Sequence, residues 1–160
     1  MESDINKLFD SLPKYPNYMV MHFCDNSNFV NKIECFAKDA KEYFIFSFDE
    51  DIVDKLKDYK KDKTTIKYIN PKRPRYHSPT KSYDYLFITS LPEDRNEFFK
   101  KIYNALKNGA SLFIFLDSAK KTLSYTIESE LIENNYVAIN IFDVDNILVI
   151  SAKKMHGWGS

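Results

Sequence analysis

His22 and Cys24 stand two residues apart in an apolar run, so on a strand both project from one side. An imidazole and a thiol at that spacing offer a metal-ligand pair or a thiol beside a base, with His77 as a third candidate. A buried core uses the same two residue types, and that reading, with no metal, is the one adopted. Asp49, Glu50 and Asp51 form an acidic group at the start of a helix, where carboxylates oppose the positive end of the dipole. Lys72, Arg73, Arg75 and Lys81 gather with Tyr76 and His77 in a segment broken by Pro71, Pro74 and Pro79. Cations with an aromatic ring have the chemistry to grip phosphate or stack a base, and a solvated loop stiffened by proline is the plainer alternative. Thr89, Ser90 and Asp117 close two strands at the end where open α/β sheets place ligands. Trp158, the single tryptophan, lies between Gly157 and Gly159, fitted for docking in a pocket, for insertion into a partner or for disorder.

The missing residue types exclude whole classes of mechanism. Only three glycines occur, and none precedes Gly109, so the material for an N-terminal glycine-rich phosphate loop is lacking. No nucleophile elbow, phosphate loop or zinc-protease pattern is present, and no catalytic residue is assigned. Equal totals of 23 basic and 23 acidic residues argue against a surface that coats nucleic acid. No apolar run reaches the roughly 18 residues of a membrane helix. Residues 1–10 lack the basic-then-apolar order of a signal peptide, and two cysteines make no disulfide framework. The expectation is a cytoplasmic protein with reduced thiols, Cys35 being read as a helix-core residue.

The elements that must position these residues follow from periodicity. A lead-in helix over 4–12 is stopped by Pro13 and Pro16. Strands are predicted over 18–24, 43–48, 64–69, 83–89 and 112–116, separated by helices marked by Phe29, Ile33 and Phe36, by Ile52, Val53 and Leu56, and by Phe98, Phe99 and Ile102. Ser90 and Glu93 fit a capping box for the last of these, and Gly109 fits its left-handed C-cap. A further helix carries Leu123, Ile127 and Leu131. Strands over 136–142 and 147–152 are joined by only four residues, too few for a parallel crossover, so they form an antiparallel hairpin. The expected architecture is α/β: a doubly wound, mainly parallel seven-stranded sheet ending in an antiparallel hairpin, with helices on both faces. One domain spans 1–160, with 1–16 as lead-in and 153–160 as tail.

This order of elements resembles the Rossmann-like class I methyltransferase family, which uses S-adenosylmethionine. Ala105-Leu106-Lys107-Asn108-Gly109-Ala110-Ser111-Leu112 is similar to the family's leucine, lysine, proline, glycine, glycine turn into the fifth strand, with Asn108 for proline and Ala110 for the second glycine. Tyr83-Asp84-Tyr85-Leu86-Phe87-Ile88 resembles the family's fourth strand. The resemblance implies a cofactor site around His22, Cys24, Asn26 and Asn28, with Asp49 as the ribose-binding acid, Glu50 as its close second and Thr89 lining the crevice. His22 stands near the family's aspartate, while Cys24, Asn26 and Asn28 stand near its glycines, so side chains fill volume that the cofactor needs. The expected function is a methyltransferase-fold protein with a degenerate cofactor loop, a non-catalytic binding or interaction module with no cofactor. The alternative is an active S-adenosylmethionine-dependent methyltransferase. A protein partner is expected to engage the Trp158 tail or the Lys72, Arg73 and Arg75 loop.

Overall fold

The computed structural model describes residues 4–24, 30–59, 62–73 and 82–155. Asn26, Asn28, Arg75, His77 and Trp158 lie outside them. The chain alternates α1 (Asp4–Asp10), β1 (Met19–Phe23), α2 (Val30–Phe36), β2 (Glu42–Ser47), α3 (Glu50–Leu56), β3 (Thr64–Tyr68) and β4 (Tyr83–Ile88). It continues through α4 (Arg95–Ala105), β5 (Leu106–Asp117), α5 (Lys121–Glu133), β6 (Val137–Val144) and β7 (Ile147–Lys153). The strands form one seven-stranded sheet in the order β3-β2-β1-β4-β5-β7-β6. The first five strands pair in parallel, and β7 runs antiparallel to both β5 and β6. This is the sheet expected from the sequence, with strand ends differing mostly by a residue.

Side chains alternate across the sheet and seed two cores. On one face Val20, Ile45, Tyr85 and Phe87 pack with Ile5, Phe9, Ile33 and Phe36 of α1 and α2. On the other, Met21, Phe23, Leu86 and Ile114 meet Phe98, Phe99, Ile127 and Leu131 of α4 and α5. The aromatic content is spent here: Phe98 stands edge-on to Phe23 at 4.8 Å, and Phe9 lies 5.3 Å from Phe87. α1 is therefore part of the core, and Ile5 N–H donates to Asp145 Oδ2 at 2.9 Å.

Four expectations differ from what is seen. Cys35 is exposed, because Ile33, Phe36 and Ala37 share the inward face of their helix and Cys35 falls out of phase with them. The helix before β5 starts at Arg95, where Asp94 caps by accepting from Glu97 N–H at 3.1 Å. Ser90 is instead held to β1, its N–H donating to Phe23 C=O at 3.2 Å. Gly109 is not a helix C-cap: α4 ends at Ala105, and Gly109, with φ of 87°, lies in the irregular opening of β5. There the pairing with β4 jumps from Tyr83↔Leu106 to Tyr85↔Ser111. Finally, β7 runs through Lys153, and Lys154 is buried at 2% exposure.

The β6–β7 turn has Asp145 and Asn146 at φ of 49° and 65°, the two-residue form whose twist matches paired strands. Ala138 also takes a positive φ, 53°, in the register shift between Val137 and Asn140. A Cβ there is strained, so Ala138→Gly is expected to raise the unfolding free energy by about 0.5 kcal/mol in urea titration. A destabilised variant would show that Ala138 does not hold that backbone.

Candidate functional site

β1 delivers His22 to the interior. His22 is fully buried, with Nδ1 3.2 Å from Tyr43 Oη on β2 and Nε2 3.1 Å from Thr89 Oγ1 beyond β4. Thr89 has one hydroxyl proton and donates it to Phe23 C=O at 3.2 Å. It must then accept from His22 Nε2–H, which leaves Nδ1 to accept from the Tyr43 hydroxyl. Each group is satisfied only if the ring is neutral, and burial pushes the His22 pKa down to about 3. Burial likewise holds Tyr43 well above the usual tyrosine range. Cys24, also buried, extends the strand by donating its N–H to Phe46 C=O at 2.8 Å.

β2 ends at Ser47, which is 1% exposed. Its Oγ accepts from Asp49 N–H at 3.2 Å. Asp49 is the N-cap of α3, its Oδ1 accepting from Asp51 N–H at 2.9 Å. Glu50 is the exposed first residue of the helix. The residue closing the second strand is thus a serine, and the carboxylate that the sequence suggests for that place works on the helix two residues later.

A crevice of about 840 Å³ opens at the carboxyl ends of β4 and β5. Thr89 and Ser90 line it from β4, and Leu116 and Asp117 from β5. Arg95, Lys32 and Lys120 bring three cations to its wall. Glu130 clamps Arg95 through Nε at 3.1 Å and Nη2 at 2.8 Å, a bidentate pair that offsets a cation at a helix start. Lys32 Nζ donates to the neutral Asn6 Oδ1 at 2.8 Å. Asp117 is engaged in part, Oδ1 accepting from Ala119 N–H at 2.8 Å.

Of the residues singled out in the sequence, Thr89, Ser90 and Asp117 meet in this crevice, while His22 and Cys24 are buried in the core and do not line it. Asp49 and Glu50 do not line it. Lys72 and Arg73 are exposed in a turn where Asn70 accepts from both backbone N–H groups, at 2.9 and 3.1 Å. Among the described residues, no group of three histidine, cysteine or acidic side chains is placed to hold a metal. Sequence reasoning missed Lys32, Arg95 and Lys120. Lysines on helix surfaces carry no signal, whereas Arg95 in a first turn, against the dipole, is one that could have been followed.

Solved structures share this architecture. A chain from the Haloferax volcanii complex between the Trm112 methyltransferase activator and its methyltransferase aligns with a TM-score of 0.78 at 8% identity, over 98% of this chain and 90% of that one. An S-adenosylmethionine dependent methyltransferase from Mesorhizobium loti gives 0.69 at 12% identity, over 92% and 96%. One from Aquifex aeolicus gives 0.73 at 10% identity, over 94% and 89%. The fold is that of the class I S-adenosylmethionine-dependent methyltransferases, and identities this low speak to fold. No family model and no curated protein matches the chain. Among the described residues, no helix is long and apolar enough to cross a membrane.

Proposed function

We propose that this chain is a methyltransferase-fold binding module that takes its ligand in the crevice beyond β4 and β5 and transfers no methyl group. The observation that carries the reading is at the end of β2. The family resemblance calls for an acid there to hold a ribose, and Ser47 is too short for that role. Asp49 spends an oxygen on the cap of α3. The sign of the crevice points the same way. Lys32 and Lys120 stand on its wall without a carboxylate partner among the described residues, and uncompensated positive charge repels a sulfonium. Both observations support a reading without S-adenosylmethionine.

Calorimetric titration tests this. Neither S-adenosylmethionine nor S-adenosylhomocysteine is expected to give saturable heat. Saturable binding, abolished by Asp49→Ala in a variant that still melts cooperatively, overturns the proposal and favours the active methyltransferase that the intact strand order suggests. The melting control matters, because loss of an N-cap by itself costs about 1 kcal/mol. A protein partner is compatible with the same reading, since the Haloferax volcanii methyltransferase is in complex with an activator protein. The exposed Lys72 and Arg73, together with Arg75 and the Trp158 tail, are the surfaces proposed for one, in a cytoplasmic setting that keeps Cys24 and Cys35 reduced.

A further inference from the structure

We infer that the crevice beyond β4 and β5 binds a phosphorylated small molecule, a phosphomonoester on a partly apolar body. This deepens the proposed function and rests on its reading of the crevice as the binding surface. The charges on the wall set the sign of the ligand. Neither Lys32 nor Lys120 has a carboxylate partner among the described residues; Lys32 is held by the neutral Asn6 amide. Arg95 is oriented by Glu130, and among the described residues its Nη1 makes no hydrogen bond. A guanidinium fixed on one edge keeps donors on the other, and it is already immobilised when the ligand arrives. Among the described residues Asp117 is the only acid on the wall, and its Oδ1 is taken by Ala119 N–H.

Glu130 neutralises Arg95, so Lys32 and Lys120 are the two ammonium groups left uncompensated, and two ammonium groups match a dianion better than a monoanion. A phosphate group also offers acceptor oxygens to the Ser90 hydroxyl and the two ammonium groups together. Beside Thr89 and Asn146, the wall also carries an apolar part in Leu91, Pro92, Leu116, Leu123 and Ile147. A volume of about 840 Å³ holds much more than a bare anion and lies in the range of small-molecule sites. The combination fits a charged head with an apolar or aromatic remainder.

The test is calorimetric titration of the full chain with phenyl phosphate, inorganic phosphate and phenol, at low and at physiological salt. Phenyl phosphate is expected to bind saturably and more tightly than inorganic phosphate, to weaken with salt, and to lose about tenfold in affinity in Lys120→Glu. Lys120 is exposed and its side chain makes no capping hydrogen bond, so the variant is expected to fold, with cooperative melting as the check. Lys67→Ala, on the exposed edge strand β3, is expected to bind like the parent. Adenosine monophosphate in a parallel arm separates the sources: the tighter of the two esters assigns a nucleotide or a non-nucleotide ligand. Three results overturn the inference: no saturation by either ester at millimolar concentrations, unchanged affinity in Lys120→Glu, or inorganic phosphate binding as tightly as the esters. S-adenosylmethionine is titrated separately. Its binding would remove the proposed function whatever the phosphate arms give, whereas silence from the phosphate arms removes only this inference.

Discussion

Lys154→Met is expected to lower the unfolding free energy by about 3 kcal/mol, read as a drop in urea midpoint at constant slope. Lys154 follows the last residue of β7, yet its side chain turns inward. Nζ donates to the carbonyls of Tyr103 at 2.7 Å and Leu106 at 2.9 Å, and sits 4.5 Å from the centre of the Tyr103 ring. A helix leaves its last carbonyls without partners, and a cation there also meets the negative end of the dipole. The ammonium serves both needs at the end of α4. The backbone of Lys154 holds the irregular start of β5 as well, accepting from Gly109 N–H at 2.6 Å and donating to Ala110 C=O at 3.1 Å. Methionine keeps the length and bulk of the stem, so the loss measures the charged donor and the two carbonyls it leaves unmet. A change under about 1 kcal/mol would mean that water takes over those carbonyls and that the clamp is dispensable.

The second large effect is a pH dependence. His22 has a folded pKa of about 3 against an ordinary value of 6.5. Between those values the unfolded chain binds a proton that the folded chain refuses, so stability rises with pH. The contribution is complete above 6.5 and is lost as the pH falls from there toward 3. The slope approaches about 1.4 kcal/mol per pH unit, and acidification from near neutrality to about pH 5 costs about 2 kcal/mol from this residue alone. His22→Gln removes the titration. The difference in unfolding free energy between parent and variant is expected to shrink by that amount over the interval. Carboxylates common to both chains cancel in the comparison. A difference that stays constant with pH would mean that His22 accepts its proton in the fold, and the neutral Tyr43–His22–Thr89 arrangement would be wrong.

The succession of strands and helices is legible because it is written in local periods. The run Leu112 to Leu116 and the stripe Phe98, Phe99, Ile102 identify a two-sided strand and a one-sided helix without any partner being known. The final hairpin follows from a connection too short to cross over. Local chemistry fails where two elements compete for the same residues. Gly109 suits a helix cap and a strand irregularity equally, since both want a positive φ, and only its bond to Lys154 decides. Asp49 has the chemistry for a ribose and for a helix cap, and the fold shows the cap, made through one of its two carboxylate oxygens.

A mainly parallel sheet with helices on both faces and a shortage of glycine are readable from the residues alone, because composition and hydrophobic period act within a few residues. The folded chain alone makes His22 a neutral bridge between Tyr43 and Thr89, buries Lys154 in the core, and gathers Lys32, Arg95 and Lys120 at one crevice. Those residues lie tens of positions apart on separate elements. Their meeting depends on strand order and register, through which burial and charge then act on each of them.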